Sequence, residues 1–159
     1  MLDAGRTDSG RPYCVMEYLD GITLSELVSL EGALPPGRAA HILRQVCAAL
    51  DEAHAAGVVH RDITPRNVMV CRCGPQADVV KVLDFGLAKI ARDGDELRTT
   101  AVTGVAGTPV YIAPERFREP TAADPRSDLY AVGAVGYKLL AGRPVFAGLT
   151  ATELLYHTL

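Results

Sequence analysis

The chain has 159 residues, enough for one domain with its own hydrophobic core but not comfortably for two. Hydrophobic residues make up 48% and charged residues 22%, a globular mix that excludes a disordered chain. The net charge of -3 excludes a general attraction to nucleic acid or to an anionic membrane surface.

The N-terminus has no apolar stretch behind its charges, which argues against a signal peptide. The longest apolar run, 129–137, is far too short to span a bilayer. Cys71 and Cys73 are the one close cysteine pair, and no second Cys or His pair completes a tetrahedral metal site. These features favour a cytoplasmic chain with reduced thiols and no membrane segment.

The N-terminal residues are expected to form a hairpin. Residues 11–19 have the composition of an apolar strand, preceded by a turn at 8–10. Residues 2–5 are then the end of its partner strand.

Two helices are expected to follow the hairpin. The capping-box spacing of Thr23 and Glu26 predicts a short helix through Leu30. A second helix is predicted to begin at Pro36 and to end at Gly57. Its expected buried face consists of Ala39, Ile42, Leu43, Val46, Ala49, Leu50 and Ala53.

The second half of the chain is predicted to be less regular. Two short β-rich pieces, 67–71 and 79–83, are separated by a Gly-Pro turn. Residues 86–112 lack sustained periodicity, and a stretch of this length in a domain is usually functional or disordered. A helix is expected over 129–140, and a capping box at 150–153 predicts one more.

Three fragments of the sequence carry chemistry together. They are HRDITPRN at 60–67, DFG at 84–86 and GTPVYIAPE at 107–115. Each fragment is weak alone, because an Asp in a loop is more often a turn or cap residue than a catalyst. Their order and spacing are far more specific.

The polar residues of the first two fragments suit phosphoryl transfer. Asn67 and Asp84 offer hard oxygen ligands from separate loops, as magnesium uses when phosphates and water complete its shell. Asp62 is a further carboxylate that can orient a hydroxyl nucleophile. Catalysis of this reaction is mostly positioning and charge neutralisation.

With these three fragments in this order, the sequence resembles the protein kinase family, of the serine/threonine type. The resemblance implies an α+β, protein-kinase-like fold, mainly the helical large lobe with the hinge and a short N-terminal β-hairpin. Residues 1–19 would be the last small-lobe strands and the hinge. Residues 20–159 would be the large lobe, truncated at its C-terminal end.

The resemblance also implies roles for the site residues. Asp62 would be the catalytic-loop base for the substrate hydroxyl, while Asn67 and Asp84 would hold Mg²⁺. The implied reaction transfers the γ-phosphate of ATP to Ser or Thr hydroxyls of a protein substrate. Arg61, directly before Asp62, could form charge-assisted hydrogen bonds to a phosphate in the activation segment, so the catalytic loop could respond to phosphorylation there.

The nucleotide pocket is also implied by the resemblance. Met16 would be the gatekeeper, Glu17 and Leu19 would offer backbone groups to adenine, and Met69 would form the pocket floor. The alternative for both methionines is a plain core position. Asp128 would brace the catalytic loop from below, act as a helix N-cap, or do both.

The third fragment indicates the type of kinase. Residues 107–109 followed by Tyr111 resemble the serine/threonine pattern, in which Thr108 would pack beside Asp62. The threonines upstream, candidate phosphorylation sites by location alone, are Thr99, Thr100 and Thr103.

Two departures from the family pattern leave alternatives open. Thr64 would be a catalytic residue at a position where a lysine is usual; its hydroxyl can donate a hydrogen bond to the transferring phosphate but brings no charge. A glycine-rich loop and the Lys–Glu pair are not found, so the chain alone is expected to have little or no activity. These departures favour a catalytically silent binding module, or pseudokinase. A small-molecule phosphotransferase is a third option, against which the 107–115 segment argues.

The Ala-, Gly- and Arg-rich composition and Thr64 together favour a bacterial member of the family with a eukaryotic-like catalytic domain.

Overall fold

The structure is a computed structural model that describes residues 2–85, 109–119, 124–146 and Glu153. Helices and two small antiparallel sheets make up this part of the chain. The strands are β1 (Asp3–Arg6), β2 (Pro12–Val15), β3 (Gly21–Thr23), β4 (Val68–Cys73) and β5 (Gln76–Val82). The helices are α1 (Leu24–Glu31), α2 (Pro36–Ala55), α3 (Pro114–Arg118) and α4 (Pro125–Ala141), with a 3-10 turn at Pro109–Tyr111. This mixture confirms the α+β expectation.

Strands β1 and β2 form the expected N-terminal hairpin. Asp3 pairs with Val15 and Arg6 with Pro12, so the chain reverses through a turn that contains Gly10 at φ 80°. The second strand ends at Val15, although the apolar run continues to residue 19. Residues 16–20 lie outside any strand, and this shortens β2 relative to the prediction.

The second sheet has the strand order β3-β4-β5, with both pairs antiparallel. Ile22 lies opposite Val70, which in turn lies opposite Val80. The two β-rich pieces read from the sequence are thus confirmed as β4 and β5, although β5 begins earlier, at Gln76. Strand β3 was not foreseen, because three residues directly before a helix carry no periodicity of their own.

Helix α1 begins with the predicted capping box. The Thr23 hydroxyl oxygen accepts from the Glu26 amide at 3.2 Å, and the Glu26 carboxylate accepts from the Thr23 amide at 2.8 Å. These bonds satisfy two backbone groups that the helix leaves open. The hydrogen bond from the Thr23 amide, followed by that from its hydroxyl, lowers the pKa of the Glu26 carboxyl.

Replacement of Thr23 by alanine is expected to lower the free energy of unfolding by about 1 kcal/mol, because the first turn of α1 loses its side-chain acceptor. Urea denaturation measures the change. Thr23→Ser keeps the hydroxyl and is the matched control, so it should retain most of the stability. Equal stability of the alanine and wild-type proteins would contradict this assignment.

Helices α2 and α4 pack together and supply much of the core. Helix α2 begins at Pro36 and is followed by Gly57 at φ 75°, as predicted. Within its expected face, the fully buried residues are Ala39, Ile42, Val46 and Leu50, whereas Leu43, Ala49 and Ala53 are only partly buried. Gly136 of α4 lies against Leu43, where an added Cβ would come within 3.0 Å of a methyl carbon.

Helix α4 begins at Pro125 rather than at the predicted Leu129. Asp124 caps it, since its carboxylate accepts from the Arg126 amide at 2.8 Å. Gly142, at φ 70°, ends the helix as expected. Nowhere in the described residues is a helix both long and apolar enough to cross a bilayer.

Several predictions fall on residues that the structure does not describe. They are the irregular stretch up to residue 108, the threonines at 99, 100, 103 and 108, and the helix after residue 150. The end of that stretch is described and contains the 3-10 turn at Pro109–Tyr111.

Candidate active site

The loop between α2 and β4 is held from below by a buried carboxylate. Asp128, only 1% exposed, accepts through Oδ2 from the His60 amide and from His54 Nε2, both at 2.8 Å. Its Oδ1 accepts from the Arg61 amide, also at 2.8 Å. Asp128 therefore braces the loop. The alternative that it caps the helix is wrong, because Asp124 occupies the cap.

His60 ties this loop to the strand that precedes Asp84. It is 1% exposed, and its Nε2 lies 2.7 Å from the Leu83 carbonyl oxygen, which can only accept. Nε2 therefore carries the proton, and Nδ1 accepts from the Asp62 amide at 3.3 Å. The imidazole also meets the Phe85 ring edge to face, with centroids 4.8 Å apart. The buried imidazole thus ties the loop to the second sheet.

Two residues of the site have left-handed backbone conformations that side chains seldom adopt. Arg61 has φ 71° and Asp84 has φ 62°. At Arg61 the conformation is fixed from both sides, because Asp128 accepts from its amide and Arg116 donates to its carbonyl. Strained conformations of this kind cluster at functional sites and persist only when their surroundings determine them.

Asp62 and Asn67 are joined directly. The Asn67 Nδ2 group donates to the Asp62 carbonyl at 2.8 Å and to the Asp62 carboxylate at 2.9 Å. Burial raises the pKa of the Asp62 carboxyl, against the hydrogen bond from Asn67, which lowers it. The Asn67 Oδ1 atom has no hydrogen-bond donor within the described ranges, so it is available to a ligand.

The sheet brings Asp84 to the same place. The Leu83 amide donates to the Asn67 carbonyl at 2.8 Å, one step beyond the pairing of Val68 with Val82. Asp84 follows directly and is exposed, and its charge contributes to the raised pKa of Asp62. The structure thus brings together the three polar residues that the sequence singled out.

Beside Asp84 lies a cleft of about 670 Å³, within the usual range for a small-molecule site. Four of the predicted site residues line it: Glu17, Leu19, Met69 and Asp84. The remaining lining residues are Leu2, Cys14, Met16, Tyr18, Lys81, Val82, Leu83 and Phe85. Asp62 does not line this cleft; it lines a separate small pocket with Arg116 and Tyr111.

The hinge side of the cleft leaves polar backbone open. No backbone hydrogen bond of the described residues uses the amide or the carbonyl of Glu17 or Leu19. Met16 is 54% exposed on the cleft, so it is not a core filler, and Met69 is half-buried in the cleft wall.

Lys81 was missed by the sequence analysis. Its ammonium donates to Glu17 at 3.1 Å, both residues line the cleft, and this hydrogen bond is the main cause of the raised pKa of Lys81. The sequence did contain a signal for it. In the predicted strand 79–83, Lys81 lies two residues before Leu83, so both side chains are expected on the same face of the strand.

Thr64 is 5% exposed, and its carbonyl accepts from the Asn67 amide at 3.0 Å. Its hydroxyl takes part in none of the side-chain hydrogen bonds found among the described residues. The structure therefore places Thr64 in the turn that presents Asn67, whereas Arg66, two residues later, is exposed.

Comparison with known proteins gives a consistent result. The family model described as the protein kinase domain matches residues 4–159. The serine/threonine-protein kinase PknB of Mycobacterium tuberculosis is 41% identical over 146 residues, which is 91% of this chain and 22% of that protein. The serine/threonine-protein kinase pkn3 of Myxococcus xanthus is 45% identical over 143 residues, 89% of this chain and 26% of that protein.

A similar solved structure is the crystal structure of Rad53 residues 1–466 in complex with AMP-PNP. It superposes with a TM-score of 0.72 at 30% sequence identity, covering 96% of this chain and 35% of that one. The present chain spans 22% to 26% of the length of the two curated relatives named above.

Proposed function

Since this chain belongs to the protein kinase family and is a partial protein kinase domain, we propose that it supplies the large-lobe chemistry of a serine/threonine protein kinase. The reaction is transfer of the γ-phosphate of ATP to a Ser or Thr hydroxyl of a protein. The observation that carries the proposal is the convergence of Asp62, Asn67 and Asp84, the last of which lines an open cleft.

Asp62 is proposed as the catalytic base. Its carboxylate is oriented by Asn67 at 2.9 Å, and its backbone is held between His60 and the braced Arg61. A positioned base takes the proton of the attacking hydroxyl, which contributes about 100- to 10,000-fold in rate. The raised pKa of this carboxyl brings its basicity closer to neutral pH.

Asn67 and Asp84 are proposed to hold Mg²⁺. The free Asn67 Oδ1 atom and the exposed Asp84 carboxylate are hard oxygen donors, the type that magnesium takes together with phosphates and water. When bound, the ion would neutralise charge on the phosphates. Asp84 has a left-handed backbone, at φ 62°, and lines the cleft.

The cleft itself is proposed as the nucleotide pocket. Apolar side chains from Met16 and Met69 suit the faces of an adenine ring, and the unused backbone groups of Glu17 and Leu19 suit its polar edge. The similar Rad53 structure was solved with AMP-PNP, which supports an ATP-type ligand for this fold. Lys81 and Glu17 form an ion pair at the rim and add polar contacts there.

A silent binding module is the less favoured alternative. Thr64 was one reason for this alternative, but it is buried in the turn that presents Asn67. The residues proposed for catalysis are intact. The similar curated proteins are named as kinases. We place the reaction in the cytoplasm and in signalling, because ATP is a cytoplasmic substrate and the four cysteines are free thiols.

The magnesium assignment predicts that Asp84→Asn weakens ATP binding only when Mg²⁺ is present. We expect a loss of at least about 10-fold in affinity, since losing even an indirect partner of a metal ligand costs that much. Titration calorimetry on the natural full-length protein, with and without Mg²⁺, measures it.

Asp78→Asn is the matched control. Asp78 shares the left-handed backbone, at φ 58°, but its ion pair with Arg38 lies outside the cleft. Its replacement should leave ATP binding unchanged. Magnesium-dependent affinity that survives in Asp84→Asn would remove Asp84 from the proposed site.

A further inference from the structure

Residues 16–19, the hinge segment, join the N-terminal hairpin to the second sheet with few contacts of their own. The Val15 and Asp20 carbonyls at the two flanks accept backbone hydrogen bonds of 2.8 Å and 3.0 Å. Within the described part of the chain, the segment itself makes one hydrogen-bonded contact, the ion pair of Glu17 with Lys81 at 3.1 Å. The position of the segment at the cleft therefore depends on a single side-chain pair.

The partner of Glu17 lies beside the proposed floor of the nucleotide pocket. Lys81 of β5 is directly opposite Met69 of β4, so the two side chains share one face of the sheet. Glu17, Met69 and Lys81 all line the cleft. Asp84 follows three residues after Lys81 on the same stretch of chain. The pair, 64 positions apart in sequence, thus links the hinge segment to the sheet that leads to the proposed magnesium ligand.

The pair is too exposed to matter much for folding. The side chain of Glu17 is 60% exposed and that of Lys81 is 44% exposed, and ion pairs in water contribute little to stability. The hydrogen bond to Glu17 raises the pKa of Lys81, so its ammonium stays charged at neutral pH. A contact that adds little stability can still select one position of a segment that nothing else holds.

We propose that the Glu17–Lys81 pair is a positioning device, which holds the hinge segment so that the backbone groups of Glu17 and Leu19 face a bound adenine. This inference rests on the proposed kinase function and adds two positioning residues to it. Neither member of the pair lines the pocket that contains Asp62. The pair therefore sets the affinity for the nucleotide and leaves the rate of phosphate transfer unaffected.

A direct role of Lys81 has to be separated from this one. Its ammonium lines the cleft, so it could instead attract the phosphates of ATP itself. Adenosine separates the two roles, because it has the adenine ring without the phosphates. Positioning of the hinge segment affects adenosine and ATP by the same factor, whereas direct attraction affects ATP alone.

The test exchanges the two charges in the natural full-length protein. Lys81→Glu and Glu17→Lys each place like charges side by side, so we expect the KM for ATP to rise by about 5-fold in either variant. The double variant Glu17→Lys/Lys81→Glu restores an ion pair with its charges exchanged and should return KM close to the wild-type value. The kcat should stay the same in all three proteins.

Calorimetry with adenosine gives the decisive comparison. Each single variant should bind adenosine more weakly by the same factor as ATP, and the double variant should recover both affinities. In the wild-type protein, about 0.5 M salt should also weaken adenosine binding, because it screens the exposed pair although the ligand is neutral.

Glu31→Lys is the matched control. It reverses a carboxylate in another exposed ion pair, with Arg38 at 2.6 Å, which does not line the cleft. Its KM for ATP should equal that of the wild type. A double variant as weak as the single ones, or unchanged adenosine binding beside weakened ATP binding, would overturn the positioning role and leave the kinase function standing. Absence of ATP binding by the wild-type protein would overturn the proposed function, and this inference with it.

Discussion

Replacement of Asp62 by asparagine is expected to lower the rate of phosphate transfer by about 100- to 10,000-fold, because the attacking hydroxyl loses its base. ATP binding should change little, since Asp62 does not line the cleft and the bond from Asn67 to its backbone carbonyl remains. Single-turnover kinetics with saturating ATP measure the rate, and calorimetry measures the binding.

The acid side of the pH profile offers a second measure of the same role. Burial raises the pKa of the Asp62 carboxyl, so the base is protonated, and the rate falls, at a higher pH than for an exposed aspartate. Asp51→Asn, on the exposed face of α2, removes one charge without touching the site and should leave both rate and profile unchanged. An Asp62→Asn protein within 10-fold of the wild-type rate would contradict the assignment.

Replacement of Asp128 by asparagine is expected to lower the free energy of unfolding by about 3–5 kcal/mol. Both carboxylate oxygens accept hydrogen bonds: Oδ2 from His60 and His54, and Oδ1 from Arg61. In either orientation, the amide NH₂ of asparagine would face a donor, so at least one buried N–H loses its acceptor. Urea denaturation of the natural protein measures the change.

Asp124→Asn is the matched control for this prediction. It makes the same substitution on the same helix, at the N-cap, where asparagine is as good a cap as aspartate. Its effect should stay within about 0.5 kcal/mol. A loss of less than 1 kcal/mol in Asp128→Asn would mean that the loop does not depend on this brace.

The residues proposed for the site could largely be identified from the sequence. Asp62, Asn67 and Asp84 were singled out by order and spacing, and the structure brings them together. Local features were equally readable: the capping box at Thr23 and the end of α4 at Gly142 both formed as expected. These features depend on residues within about four positions of one another, so periodicity and capping patterns contain them.

Other parts of the site depend on contacts between distant parts of the chain. His54 is bonded to Asp128, 74 residues away, and the tautomer of His60 follows from the carbonyl of Leu83. Helix α4 begins earlier than predicted, at Pro125 rather than Leu129, because Asp124 and not Asp128 caps it. Nothing in the local sequence separates these two aspartates; only the packing of α4 under the catalytic loop buries one and leaves the other at the helix end.

The sequence by itself thus determined the family, and it supplied the residues on which the proposed reaction rests, because those follow from residue types at short, ordered spacings. The tertiary structure alone decided how Asp128 is used and which carbonyl fixes the tautomer of His60. The physical reason is that buried hydrogen bonds and charge pairs form between whichever side chains the packed helices bring together. Their partners are therefore set by packing and not by local pattern.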